Sequence, residues 1–336
     1  MGVNLRQLIE TETLSLKDLS GQKIGIDAFN WTYQFLSTIR LPDGSLLEDS
    51  SGRVTSHLNG LFFRTMNLLK EGIKPCYVWD GKPPEFKEKT LEKREERKEI
   101  AEAKLKTAIG KERLKWAQQT SRLTEEMIED AETMLGLMGV PSIRAPSEGE
   151  AQISHMVVSG DLDACASQDW DALLFGTPVL LRNLSLTGKR KLPNGKVVYV
   201  FPEKIVLEHA LKKLGITRDQ LIIIAMLIGT DYCPGVRGYG PKKAYKIVKE
   251  KKELDKVIAV TGWDFEVSPD TIFTWFKKPI VSKDYKLSWG KLNRTKLIDF
   301  LVSEREFSEK RVLSILDSYE ASKGKLSQKG LTSFFK

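Results

Sequence analysis

Two short acidic stretches in the middle of the chain carry residue types that chemistry needs. They are Ala145-Pro146-Ser147-Glu148-Gly149-Glu150-Ala151-Gln152 and Ala166-Ser167-Gln168-Asp169-Trp170-Asp171. Each holds two carboxylates at i, i+2. Each follows a short apolar run that reads as a strand, Val140 to Ile143 and Leu162 to Ala166. Acidic side chains at the carboxyl ends of neighbouring parallel strands converge on one edge of a sheet. Four carboxylates gathered there repel one another, and a bound cation relieves the repulsion. Taken alone, each pair has a second reading. Ser147-x-x-Glu150 is also a capping box for a helix through Ile153 and Val157, and Asp169 and Asp171 also suit an ordinary loop.

The elements around these stretches favour the shared site. Lys23-Ile24-Gly25-Ile26 reads as a buried strand ending in Asp27, and Pro75 to Trp79 as another ending in Asp80. Acids at the ends of four strands are hard to explain as loop decoration. The strands alternate with helical patterns, so the expected class is α/β, a mostly parallel central sheet with helices on both faces. A short helix is expected over 4–10 and an amphipathic one from Phe29 to Ile39, with a polar loop over 41–53. Leu58 to Leu69 reads as a helix closed by Gly72, and Thr124 to Leu137 as a helix with Thr124 as N-cap. Val179 to Leu184 and Val197 to Phe201 read as strands, with a hairpin turn at Asn194-Gly195. Helices are then expected over 203–214, 218–229, 241–251, 293–303 and 308–320.

Three further stretches stand out. After Gly81-Lys82-Pro83-Pro84, a charged segment from Glu85 to about Gln119 is helical but sparse in apolar residues. It reads either as a solvated surface helix laced by ion pairs or as a helix standing off the core and facing a polyanion. Ile228 to Ala244 reads as helix, tight glycine turn, helix, with Gly235, Gly238 and Gly240 ahead of Pro241, Lys242 and Lys243. Such a turn brings backbone amides and a helix N-terminus to a phosphate, or it is a sharp helical hairpin without a ligand. No strand precedes it, which excludes a dinucleotide fingerprint. From Ala321 the chain is rich in Ser, Lys and Gly and reads as a flexible tail. Its closing Phe334-Phe335 pair reads as an anchor for a partner or as a tail folded back on its own domain.

Composition narrows the classes. The 336 residues carry a net charge of +8 and 41% hydrophobic residues, with a pI near 9.1. A basic chain of this kind favours a polyanionic partner. Cys76, Cys165 and Cys233 are far apart with no CxxC, against a disulfide framework or structural zinc. His57, His155 and His209 show no ligand spacing. Met1-Gly2-Val3 leads into no apolar signal segment, Arg6 stands where a myristoylation signal wants Ser or Thr, and Leu221 to Ile228 is too short to span a bilayer. The expected location is intracellular, in the cytoplasm or nucleoid.

Asp27, Asp80-Gly81-Lys82-Pro83-Pro84, Ser147 to Gln152, Ser167 to Asp171 and Gly229-Thr230-Asp231-Tyr232, in this order, resemble the flap endonucleases. These are the structure-specific 5′ nucleases of replication and repair, and the match runs the length of the chain in an archaeal-like form. The resemblance implies a single 5′-nuclease, PIN-like domain over 1–320, with a helical arch over 82–122 and a duplex-binding region over 217–260. A flexible clamp-binding tail would occupy 321–336. It implies a metal site of seven carboxylates: Asp27, Asp80, Glu148, Glu150, Asp169, Asp171 and Asp231. Asp80, Glu150 and Asp169 would hold one ion, and Asp169, Asp171 and Asp231 the second, with Asp27 and Glu148 acting through water. An all-oxygen set suits two Mg²⁺, with Mn²⁺ as a substitute.

By the same resemblance Lys87 and Arg94 are the catalytic basic pair, and Tyr33 stacks near the scissile nucleotide. Gly2, Arg40, Thr55, Gly235, Gly238, Gly240, Lys242 and Lys243 would contact DNA. Gln328, Leu331, Phe334 and Phe335 would anchor a sliding clamp. The implied activity is cleavage of 5′ flaps, with 5′ exonuclease action, by a protein that is monomeric when free. Hydrolysis would leave a 5′-phosphate and a 3′-hydroxyl. Trp170 stands where tyrosine is usual and Tyr239 where an aliphatic residue is common. Three rivals remain in view: a junction-resolving nuclease of the same superfamily, an RNA-cutting nuclease on the same sheet, and a clamp-tethered scaffold without activity. The seven mutually repelling acids argue against the scaffold.

Overall fold

Apolar runs in this chain alternate between two cores, one on each face of a single sheet. The structure, a computed structural model, describes residues 2–186, 188–191 and 196–333, with side chains beyond Lys323 not described. The strands are β1 (Glu12–Thr13), β2 (Lys23–Asp27), β3 (Lys74–Trp79), β4 (Ser142–Arg144), β5 (Ala164–Ala166), β6 (Val179–Arg182), β7 (Gly188–Lys191), β8 (Val197–Val200) and β9 (Glu203–Val206). Seven of them form one sheet in the order β1-β9-β6-β5-β2-β3-β4, and β7 with β8 forms a separate hairpin. β2 to β6 run parallel, while β9 and β1 close one edge antiparallel.

The helices are α1 (Ala28–Thr38), α2 (Ser56–Lys70), α3 (Glu88–Leu105), α4 (Lys111–Ala117), α5 (Glu125–Leu137), α6 (Gly149–Val158) and α7 (Asp171–Leu174). They continue with α8 (Leu207–Leu214), α9 (Arg218–Ile228), α10 (Pro241–Lys251), α11 (Leu254–Thr261), α12 (Pro269–Lys277), α13 (Arg294–Ile298) and α14 (Glu309–Ser333). Strand periodicity sorts the core. Tyr77 and Trp79 of β3 join Ile24 and Ile26 against α1, α2, α5 and α14. Cys76 and Val78 point the other way, to α6, α7, α9, α10 and α12. Both faces are covered, as a parallel sheet requires. Each fully buried Leu, Ile or Phe in these layers contributes about 1.5–3 kcal/mol.

The α/β class and most elements match the expectation, and the departures have local causes. Residues 4–10 form only one hydrogen-bonded turn, Ile9 N–H to the Leu5 carbonyl, because Val3, Leu5 and Ile9 are all drawn into the core. The helix expected over 203–214 begins at Leu207. Glu203 to Val206 instead pairs with β6, and Ile205 is buried there. The helix expected over 293–303 is α13 followed by a π-helical turn, Asp299–Glu304. The last helix does not stop at 320 but continues to Ser333, over a stretch that contains no helix-breaking proline. The short helix α11 and the aromatic-bearing helix α12 were not anticipated. Thr124 caps α5, its hydroxyl accepting from Met127 N–H at 3.3 Å, and Pro241 opens α10. The Asn194-Gly195 turn lies outside the described residues. No helix among the described residues is long and apolar enough to cross a membrane.

One buried group gives the fold a pH signature. His57 is fully buried in α2, and neither ring nitrogen has a hydrogen-bond partner among the described residues. Burial, only partly countered by Asp130, pushes its pKa down to about 4. The unfolded chain takes up this proton below about 6.5, but the folded chain does so only near 4. Stability tied to His57 is therefore intact above 6.5 and lost as pH falls towards 4, by up to about 3 kcal/mol. Replacing His57 with Phe should flatten the pH dependence of chemical unfolding between pH 7 and 4. An unchanged slope would exclude His57 as its source.

Candidate active site

Asp27 ends β2, Asp80 follows β3, Glu148 and Glu150 follow β4, and Asp169 and Asp171 follow β5. The chain passes from β2 to β3 and β4 on one side, then returns to place β5 on the other. The β5–β2 border is thus a switch point, where loops part and leave a crevice. A cavity of about 920 Å³ opens there, lined by all six of these acids and by Asp231, which follows α9. Tyr33, Lys87 and Arg94 line it too.

Backbone amides hold several carboxylates in place. Asp27 caps α1 by accepting from Asn30 N–H at 2.9 Å, and the Ser167 hydroxyl donates to its other oxygen at 3.2 Å. Asp80 accepts from Gly149 N–H at 2.7 Å. A Cβ at Gly149 would lie 2.8 Å from that carboxylate, so only glycine fits. Asp171 accepts from Val3 N–H at 2.8 Å. A Cβ at Gly2 would meet the same Asp171 oxygen at 2.7 Å, which gives Gly2 a steric role beside the cleft. The capping box read from Ser147-x-x-Glu150 does not form. Glu148 is the N-cap residue of α6 without a side-chain cap bond, and the Ser147 hydroxyl donates to the Lys82 carbonyl at 2.8 Å.

Charge in the cleft is strongly perturbed. Burial, with Asp80 and Asp169 nearby, pushes Asp27 well above the usual carboxylate range. Burial and Glu148 push Asp80 up to about 6. Burial and the charges of Asp27, Asp169 and Asp171 raise Glu150 well above its ordinary value. Burial raises Asp169, with Asp231 adding to it, and burial with Asp169 and Asp231 takes Asp171 up to about 8. Asp231 goes the other way. Burial pushes it up, but opposing positive charges, Arg94 and Lys87 among them, bring it below its ordinary value.

Those cations come from the charged segment after Pro84. Lys87 precedes α3 in a 3-10 turn, while Arg94 lies within α3 itself. Its Nζ donates to both Glu148 oxygens at 2.7 and 2.8 Å and lies 3.8 Å from Asp231. Burial opposes its charge, yet Glu148, Asp231 and Asp80 keep its pKa above the ordinary value. Arg94 donates to Asp231 at 2.6 Å. An aromatic group of Phe86, Tyr232 and Trp275 packs beneath, with ring centroids 5.5–6.2 Å apart.

The donor set fits a hard divalent cation. Every candidate ligand is a carboxylate oxygen, and Glu150 Oε1 is buried without a hydrogen-bond partner. Among the described residues no three His, Cys, Asp or Glu side chains already converge as a ligand set. Glu148 and Asp231 are engaged instead by Lys87 and Arg94.

The other anticipated residues are dispersed. Arg40 braces the loop after α1, donating to the Leu36 and Gly44 carbonyls and to the Ser121 hydroxyl at 2.8–2.9 Å. Thr55 is buried and lines a separate cavity of about 230 Å³. Gly235 packs against the Ile228 carbonyl, while Gly238 and Gly240 border open space. Lys242 and Lys243 are exposed on α10, Lys243 lying 4.3 Å from the Tyr239 ring centroid. Gln328 and Leu331 lie on α14 with side chains not described, and Phe334 and Phe335 fall outside the described residues. Asn30, Ser167 and the N-terminal amides were missed. Of these, only Ser167, inside the second acidic stretch, carried a signal in the sequence.

The fold and the cleft are those of the XPG-type nucleases. Residues 1–101 match the XPG N-terminal domain and residues 139–231 the XPG I-region. The catalytic core of Rad2 in complex with DNA substrate shares the fold, with a TM-score of 0.71 at 23% identity over 92% of this chain and 96% of that one. The flap endonuclease-1 of Methanococcus jannaschii superposes with a TM-score of 0.75 at 41% identity, covering 96% and 98% of the two chains. Flap endonuclease 1 of Pyrococcus abyssi is 50% identical over 342 residues, covering 100% of this chain and 98% of its own. The chain belongs to the flap endonuclease 1 family, in its archaeal form.

The raised carboxylates carry a second pH signature, opposite to that of His57. Asp171 binds its proton in the folded chain below about 8 and in the unfolded chain only below about 3.9. Its contribution to stability is therefore lost as pH rises from 4 to 8. Metal-free Asp171→Asn should melt with the parent near pH 4 and above it by pH 8. Equal melting temperatures at pH 8 would contradict the repulsion described here.

Proposed function

We propose that this chain cuts DNA at the base of single-stranded 5′ flaps, by divalent-cation-dependent hydrolysis that leaves a 5′-phosphate and a 3′-hydroxyl. Its family makes it a structure-specific flap endonuclease. The observation that carries the finer reading is the cleft itself, seven carboxylates facing Lys87 and Arg94 across one cavity. Two Mg²⁺, or Mn²⁺ in their place, would supply charge neutralisation and water activation at phosphorus. Asp27, Asp80, Glu148, Glu150, Asp169, Asp171 and Asp231 would hold them, directly or through water.

The chain's own residues do the rest. Lys87 and Arg94 exchange their carboxylate partners for phosphate oxygens and donate where negative charge develops. Tyr33, on the cavity wall, offers a ring on which a base can stack. The segment over 82–122 forms the arch over the cleft, and a single-stranded 5′ end passes beneath it. Gly238, Gly240, Lys242 and Lys243 grip duplex phosphates ahead of α10. Such contacts read backbone and not bases, so selectivity comes from shape. Bringing the scissile phosphate to the acids unpairs the terminal base pairs at a cost of a few kcal/mol. The same site then serves 5′ exonuclease cutting. The tail, through Gln328, Leu331, Phe334 and Phe335, tethers an intracellular monomer to a sliding clamp in replication and repair.

The test is cleavage of a 5′-flap duplex with Mg²⁺, beside the same reaction in EDTA and a blunt duplex of equal length. One cut near the junction, only with metal and only on the flap, is expected. Binding without cutting would leave a scaffold, and cutting of every form alike would remove the flap specificity. Lys87→Ala should slow single-turnover cleavage by about 100-fold or more, with flap binding in Ca²⁺ held within a few-fold. Equal loss of binding and rate would reduce Lys87 to a phosphate contact.

A further inference from the structure

The loop that carries Asp169 and Asp171 is held from behind by one side chain outside the cleft. Arg182 is the last residue of β6. Its Nε and Nη2 both donate to the Gln168 carbonyl, at 3.1 and 3.0 Å. The same guanidinium lies 4.4 Å from the centroid of the Trp170 ring, which is itself buried. Its Nη1 is 3.5 Å from Glu203 Oε2, and Glu203 Oε1 is 3.4 Å from Arg6 Nη2. One planar group therefore touches the residue before Asp169 and the residue between Asp169 and Asp171. Through Glu203 it also reaches the N-terminal segment, whose Val3 amide binds Asp171.

We propose that Arg182 is a positioning residue that sets the spacing of the Asp169 and Asp171 carboxylates and so the affinity of the cleft for divalent cations. The proposal rests on the reading of the cleft as a cation site. The geometry needs arginine in particular. A guanidinium can direct two edges at one carbonyl while its flat face lies on an indole, and an ammonium has neither the fork nor the plane. Trp170 supplies a broad ring for that face. Gln168 and Trp170 flank Asp169, and Trp170 adjoins Asp171, so a loop released from Arg182 lets the two carboxylates part. Bringing them back together for a cation then weakens binding.

The test is Mn²⁺ binding to the full chain, followed by the electron paramagnetic resonance of free Mn²⁺, beside metal-free thermal melts. Arg182→Met should raise the Mn²⁺ midpoint by roughly 10- to 100-fold, as loss of supporting partners around a metal ligand does. Arg182→Lys should fall between, and Trp170→Tyr, which keeps an aromatic face, should stay near the parent. In cleavage, the Mg²⁺ needed for half-maximal rate should rise while the rate at saturating Mg²⁺ largely recovers. An Arg182→Met protein that binds Mn²⁺ like the parent, or loses only melting temperature, overturns the proposal. If Arg182→Met does not fold, an unchanged midpoint in Arg182→Lys overturns it. Failure of the cation-site reading is distinct: the parent itself would bind no Mn²⁺ in a manner abolished by Asp171→Ala.

Discussion

Mutual repulsion among acids at one desolvated sheet edge is the constraint to which the rest of this structure answers. Two unit charges about 4 Å apart repel by roughly 4 kcal/mol at an effective dielectric of 20. Burial raises Asp27, Glu150 and Asp171 most, and the charges of neighbouring carboxylates add to it. The chain meets this in three ways. Backbone amides from Asn30, Gly149 and Val3 donate to Asp27, Asp80 and Asp171. Lys87 and Arg94 bring positive charge from another segment. Protonation takes what remains, which is why Asp80 and Asp171 titrate so far above ordinary carboxylates.

Rigidity behind the acids makes that arrangement tenable. The acid-bearing loops leave strands that are buried on both faces, so their starting points cannot drift without opening a core. Tyr77 and Trp79 anchor β3 just before Asp80, each essentially without solvent contact. Tyr232 follows Asp231 directly and is locked among Phe86, Trp275 and Phe276. The aromatic group that fixes the Asp231 loop also fixes the foot of the segment bearing Lys87, since Phe86 belongs to both. Acid and counter-charge thus share one foundation.

How much of this could be read from the sequence follows from the range of each interaction. Strand-terminal acids were legible because a short apolar run followed by Asp is a local pattern, and four such runs reinforce one another. The α9–α10 pair was legible for the same reason, with Pro241 and the glycines marking the turn. The capping box at Ser147 misled, because the same four residues satisfy a local rule while the real partner of Ser147, the Lys82 carbonyl, is 65 residues away. β9 was hidden because Glu203 to Val206 shows its strand character only beside β6 and β1. Val3, Arg182 and Asn30 carry no acid and no motif. Their importance lies wholly in which carboxylate or carbonyl the fold sets opposite them.

The segment after Pro84 differs from everything else that touches the cleft, and its composition explains why. Among the described side chains of α3 only Ala101 is fully buried, while Leu91 and Ile100 are exposed. It has no apolar stripe to commit to a core, so beyond its foot at Phe86 its place is set by charge: Lys87 to Glu148, Arg94 to Asp231, and Arg122 to Glu95 and Glu102. Contacts of this kind are individually weak when exposed and are screened by salt. They are also exchangeable, because a phosphate offers lysine and arginine the same oxygen chemistry as a carboxylate. A segment held by packing would have to break a core to admit a polyanion. A segment held by ion pairs only trades one anion for another, and each trade leaves a carboxylate free to take a cation instead. The poor amphipathicity of this helix is therefore what its position over an acidic cleft requires.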